Sequence, residues 1–194
     1  RAFRHVCLDY LMAEPDNVAV DLCTQQFTNS DNLTERMAAL NALVHHDGQH
    51  RDEALQTFYQ QGEGQPLVRD RWFQLQAQSR IPGVVDRVRS LLKHEEFHWQ
   101  NPNRVRSLIG SFCTLNLPAF HQASGEGYAL LVDVVMALDP INPQTASRMV
   151  EPLTHWQQYD VKRAESMQQA LRQLQQQPLS KGVYEVVSKS LEAS

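Results

Sequence analysis

Apolar residues recur along this chain at three- and four-residue spacing, the period of one helix face, and no segment alternates apolar and polar as a strand would. The clearest stretch is Asn101-Pro102-Asn103-Arg104-Val105-Arg106-Ser107-Leu108-Ile109-Gly110. Asn101 suits an N-cap, because its side chain can accept a bond from an unpaired N–H of the first turn. Pro102 suits the first helical position, where its missing N–H costs nothing. Val105, Leu108, Ile109 and Phe112 then share one face. The same signal returns 41 residues later at Asn142-Pro143-Gln144-Thr145-Ala146-Ser147-Arg148, with Ala146, Met149, Val150 and Leu153 in the corresponding places. A period of about 40–47 residues is typical of helical solenoids of the HEAT or armadillo kind. One such repeat cannot bury its own apolar face, but stacked repeats can. The expected fold is all-α, a right-handed stack of antiparallel helix pairs (an α-solenoid) forming one domain over residues 1–194.

The rest of the chain follows the same pattern. Phe3, Val6, Cys7, Tyr10 and Leu11 share a helical face, and Pro15 is expected to end that helix. Asp16 caps a second helix, with Val18, Leu22 and Cys23 expected inside. Asn32, with Glu35 three residues on, makes a capping box ahead of Met37, Leu40 and Val44. Gly48 is expected to stop that helix. Further helices carry Ala54, Leu55, Phe58 and Tyr59, then Leu67, Trp72, Phe73 and Leu75 behind Pro66, with Gly62-Glu63-Gly64 as the loop between them. Pro82 is expected to open a helix with Val84, Val85, Val88, Leu91 and Leu92. Residues 128–138 are apolar almost all round, which predicts a central helix. A Gln-rich amphipathic helix over 162–177 and a last helix from Ser180 complete the pattern.

Totals narrow the function. A chain of 194 residues with 42% hydrophobic content can close a continuous core. Its net charge of −4 argues against a nucleic-acid surface, which shows a basic excess. Cys7, Cys23 and Cys113 are too few for a disulfide framework and are expected as buried thiols in a reducing compartment. No run approaches the roughly 18 apolar residues of a membrane span. The first residues lack a signal-peptide run and begin without Met inside an amphipathic pattern, which suggests a piece of a longer chain.

One motif invites a catalytic reading. His94-Glu95-Glu96-Phe97-His98 matches H-E-x-x-H, in which two histidines on one helix face grip Zn²⁺ and the glutamate acts as general base. A third protein ligand is then required. Between Phe97 and Gly125 there is no Asp or Glu, so the downstream glutamate of one zincin class is missing. The metzincin extension fails as well, because Asn101 and Arg104 stand where Gly and His are needed. The apolar stripe ending at Leu92 also runs into Asn101-Pro102, which places the five residues at a helix end and in a loop. His94, Glu95 and His98 are therefore read as a coincidental motif with no metal. His45-His46 suit a helix end. Ser124-Gly125-Glu126-Gly127 lacks the strand that precedes a phosphate loop. Lys162 and Arg163 read as a solvated face, and Cys113 as a packed thiol.

The stretch 101–110 resembles a signature of the C-terminal helical domain of bacterial aminopeptidase N, the zinc alanyl-aminopeptidase family. The resemblance continues through Pro118-Ala119-Phe120-His121, Gly127-Tyr128, Asn142-Pro143-Gln144, Ala146-Ser147-Arg148, Glu151-Pro152-Leu153, Tyr159-Asp160 and Lys162-Arg163. Upstream it is looser, covering Gln26-Phe27 and Met37-Ala38-Ala39-Leu40. It implies a fragment that is inactive alone and whose parent enzyme releases N-terminal amino acids from peptides in the cytoplasm. Zinc and catalysis would belong to an earlier thermolysin-like domain of the same chain, whose Gly-Ala-Met-Glu-Asn motif is absent here. The C-terminal domain would close over that domain's chamber, and Arg106 and Arg148 map onto the two arginines that line it. Their placement permits this: Arg106 flanks its core stripe and Arg148 lies almost opposite it, so either can offer a guanidinium to a peptide carboxylate. The competing reading is a free-standing helical-repeat scaffold that binds a protein partner.

Overall fold

The computed structural model describes residues 2–14 and 16–192. All regular structure among the described residues is helical. The chain divides into two compact units, Arg1–Pro82 and Gly83–Ser194.

The first unit holds α1 (Ala2–Leu11), α2 (Asn17–Asn29), α3 (Leu33–Leu43), α4 (Gln49–Gln61) and α5 (Pro66–Ala77). Successive helices pack as pairs, α2 on α3, α3 on α4 and α4 on α5. The caps are as the residues dictate. Asp16 accepts from the Ala19 N–H at 2.8 Å, and Asn32 accepts from the Glu35 N–H at 2.9 Å. Ala39, Leu40, Val44, Ala54, Leu55, Phe58, Phe73 and Leu75 form the core. Trp72 is buried and donates its indole N–H to the Leu55 carbonyl at 3.1 Å. Arg69 is also buried, with its guanidinium 3.5 Å from the centroid of the Tyr59 ring. Stacked against an aromatic face, the cation keeps a partner after leaving water.

Four expectations need correction here. The face of α1 read as inward is outward: Phe3 is 81% and Tyr10 78% exposed, and Val6 and Leu11 are exposed with them. Leu8 and Met12 are buried instead. In α2, Val18 and Leu22 are exposed, while Ala19, Cys23 and Phe27 fill the interior. An amphipathic stripe identifies an apolar face but not what covers it, and two apolar stripes on one helix leave the choice to the packing. Gly48 does not stop α3. It precedes α4 at φ 140°, a conformation open to glycine, after a turn that begins at Val44. Cys7 is half-buried rather than buried. Pro15 lies outside the described residues.

The second unit is built around α10 (Glu126–Leu138). Leu130, Leu131, Val132, Val134, Val135 and Leu138 are all buried, as an all-round apolar helix requires. Against it pack α6 (Val84–Leu91), α9 (Leu117–Phe120), α11 (Pro143–Met149) and α13 (Val161–Gln175). The helix α14 (Lys181–Glu192) pairs with α13 and α11, and α12 (Glu151–Thr154) bridges both. The expected start of α6 shifts by two residues. Pro82 lies in a turn, and Gly83, in the left-handed region at φ 79°, leads into Val84.

Candidate functional site

The site is assembled from the Asn101-led helix and its counterpart at Asn142. Asn101 accepts from the N–H groups of Asn103 and Arg104 at 3.0 and 3.3 Å. The helix then runs as α7 (Pro102–Val105), a π-helical segment (Arg106–Gly110) and α8 (Ser111–Leu115). The N–H of Ser111 reaches five residues back to the Arg106 carbonyl. Such π-segments widen one turn and recur at functional sites. Val105, Leu108, Ile109 and Phe112 remain fully buried through it, as their spacing requires.

The two arginines of the Asn-Arg-Val-Arg run go opposite ways. Arg104 is buried and donates to the Glu96 carbonyl at 2.6 Å, which ties the helix to the preceding turn. Arg106 is exposed, its Nε donating to the Pro102 carbonyl at 3.1 Å. Its terminal nitrogens enter no ion pair among the described residues.

At the second start, Asn142 accepts from the Thr145 N–H at 3.0 Å. Ala146, Met149, Val150 and Leu153 are buried, and Arg148 projects outward. Arg148 likewise enters no ion pair among the described residues. It stands at a cavity of about 220 Å³, whose wall includes Gly110 and Cys113 on one side and Met149 and Pro152 on the other. The cavity has Arg148 and Gly110, one turn on from Arg106, in the same wall. Burial pushes the Cys113 thiol well above its usual range, which leaves it protonated and inert, as a packed thiol should be.

A second polar cluster was not legible in advance. His121 Nδ1 and the Tyr128 hydroxyl lie 2.8 Å apart, both residues buried. The Tyr159 ring stacks on His121 at 4.2 Å, and Arg163 donates from Nε to the His121 carbonyl at 2.9 Å. Arg163, exposed as expected, also pairs with Asp160 at 2.5 Å. Burial first, and Arg163 second, lower the His121 pKa, while burial pushes Tyr128 up to about 12. Both groups are therefore neutral near pH 7, which suits a structural hydrogen bond better than proton transfer. Three separated stretches of the resemblance meet at this point: Phe120-His121, Gly127-Tyr128 and Tyr159 through Arg163. Their spacing along the chain carried no sign of that.

The H-E-x-x-H residues sit in turns between α6 and α7, not on a helix face. His94 Nδ1 accepts the Glu96 N–H at 3.1 Å, so that lone pair is committed locally. Glu95 and His98 are exposed. Among the described residues no group of three or more His, Cys, Asp or Glu is placed to hold a metal ion. The residues present do not fit a zinc centre.

A family model described as ARM repeats, a domain of unknown function (DUF3458_C), matches residues 1–192. The chain belongs to this ARM-repeat family. As a DUF3458_C domain it is similar to aminopeptidase N of Escherichia coli strain K12, 42% identical over 192 residues, which is 98% of this chain and 22% of that protein. Aminopeptidase N of Haemophilus influenzae is 38% identical over 99% of this chain and 22% of its own length. Among solved structures, Legionella pneumophila aminopeptidase A in complex with aspartic acid superposes with a TM-score of 0.93, at 33% identity, over 98% of this chain and 22% of that one. The DUF3458_C chain thus spans about a fifth of the length of these relatives. The resemblance to the C-terminal helical domain of bacterial aminopeptidase N holds along its whole length.

Proposed function

We propose that residues 1–194 form one non-catalytic domain at the C-terminal end of a zinc-dependent aminopeptidase, where it closes and lines the chamber through which peptides reach the catalytic domain of the same polypeptide. The observation that carries this reading is the match of nearly the whole chain to aminopeptidase N relatives of which it spans only 22%. Zinc and bond cleavage belong, in this reading, to the catalytic domain, since His94, Glu95 and His98 are not arranged to hold a metal. The outward apolar residues of α1 and α2 supply a surface suited to contact with the rest of the polypeptide. Cysteines kept free, and the absence among the described residues of a helix able to cross a membrane, accord with a cytoplasmic enzyme.

Arg106 and Arg148 are the residues that meet substrate. A peptide held by its N-terminal end presents its carboxylate to whatever closes the chamber. A guanidinium there binds it by charge-assisted hydrogen bonds, each worth about 1.5–3 kcal/mol before desolvation. The test compares kcat/KM for a tetrapeptide and an aminoacyl anilide in the full-length enzyme, with Arg106→Ala and Arg148→Ala. Tetrapeptide turnover should fall roughly tenfold or more, while the anilide, which has no far end, keeps its rate. Equal losses on both substrates would indicate a docking or folding role. No loss on either would return both arginines to the ordinary surface.

A further inference from the structure

Arg148 has a companion that a bare carboxylate clamp does not need, namely a cavity at its side. Its wall combines the backbone of Gly110 with the apolar surfaces of Cys113, Met149 and Pro152. Glu151 and His155 complete the lining, one and two turns on from Arg148. At about 220 Å³ the space is of the size of a single residue, well below the roughly 300–1,000 Å³ of a drug-sized ligand pocket. Gly110 lines the space with no side chain of its own. It has ordinary helical angles, φ −56° and ψ −45°, so the backbone does not require glycine. A Cβ built there meets nothing nearer than the Arg106 Cβ at 3.7 Å. Any larger residue would extend into open space beside Arg106. Glu151 follows Arg148 by three residues but forms no ion pair with it, so both charges remain available to a ligand.

We propose that this cavity is a specificity pocket for the last residue of a peptide: Arg148 takes the terminal carboxylate, the Gly110–Cys113–Met149–Pro152 wall takes the side chain, and Glu151 selects against acidic side chains and for basic ones. The inference rests on the chamber-lining reading above and deepens it. An apolar side chain gains by leaving water against Met149 and Pro152. A lysine can lay its stem along the same wall and place its ammonium near Glu151. An aspartate or glutamate brings a second anion toward Glu151 and is disfavoured.

The experiment measures peptide hydrolysis by the full-length enzyme on Ala-Ala-Ala-X, with X as Gly, Leu, Lys or Glu. Wild type should show KM rising in the order Leu and Lys, then Gly, then Glu. Gly110→Leu adds a side chain at the wall and should raise KM for the Leu-ending peptide about tenfold, clearly more than for the Gly-ending peptide. Gly110→Ala, which meets no close contact, should give a smaller rise in the same sense and covers the case in which leucine disturbs folding. Glu151→Gln should remove the difference between the Lys- and Glu-ending peptides. KM independent of X in wild type, or equal changes for Gly- and Leu-ending peptides in both glycine variants, would overturn the pocket. If Arg148→Ala weakens every peptide while both glycine variants leave all of them unchanged, the carboxylate reading stands and the pocket falls. If Arg148→Ala also changes nothing, both fall.

Discussion

Asp139 and Ser180 are joined twice across the second unit: the Ser180 N–H donates to Asp139 Oδ2 at 2.7 Å, and its hydroxyl donates to Oδ1 at 2.5 Å. Asp139 follows the end of α10 and is 4% exposed, and Ser180 precedes α14. One buried carboxylate therefore anchors the start of the last helix to the end of the central one. Removing it strands two donors, which costs about 1–3 kcal/mol. Asp139→Ala should lower Tm by roughly 2–4 °C per kcal/mol lost, measured by circular dichroism. Ser180→Ala keeps the backbone bond and should cost less. Equal and negligible effects of the two would show that the anchor contributes nothing.

Gly127 and Gly110 make opposite predictions. A Cβ at Gly127 would lie 2.3 Å from the Phe120 carbonyl oxygen and 2.8 Å from that residue's carbonyl carbon and Cα. These are backbone atoms of α9, which cannot rotate away. Gly127→Ala should destabilise by about 1–3 kcal/mol or more through overpacking. Gly110→Ala meets only ordinary contacts and should be neutral or stabilising by up to about 1 kcal/mol. Urea unfolding of the two variants beside wild type gives the comparison, and the expected signs are opposite.

His45 predicts an acid-sensitive first unit. Burial, then Arg80, then His46 lower its pKa to about 4. Its Nδ1 is buried without a hydrogen-bond partner. The unfolded chain protonates this ring near its ordinary pKa of about 6.5, whereas the folded one resists until about pH 4. The stabilising contribution is therefore complete above pH 6.5, declines as pH falls, and is gone below about 4. His46, also lowered, acts in the same sense, and His121 does so in the second unit. His45→Gln should reduce the stability difference between pH 7 and pH 5, by less than the full shift implies because the ring is only partly buried. An unchanged difference would remove His45 from the account.

Glu95→Gln tests the coincidental motif directly. A glutamate acting as general base would lose at least about a hundredfold in kcat when neutralised. In the full-length enzyme this variant should keep its kcat, because Glu95 is exposed in a turn beside a histidine already bonded to Glu96. A loss of that size would restore the motif as a catalytic centre.

The sequence alone determined several helix starts and much of the core. Asp16, Asn32, Asn101 and Asn142 cap as their side chains dictate, because capping depends on residues two or three apart. Val105, Leu108, Ile109 and Phe112, with their counterparts 41 residues on, are buried because a local period fixes a helix face. Tertiary structure decided what depends on neighbours distant in the chain. It turned Phe3, Val6, Tyr10 and Leu11 outward, since a stripe does not name its partner. It widened the turn at Arg106–Gly110, a change in hydrogen-bond register that leaves the hydrophobic spacing intact. It also set His121 against Tyr128 and Tyr159, and opened the cavity between Gly110 and Arg148, because side chains from separate helices meet only after those helices pack.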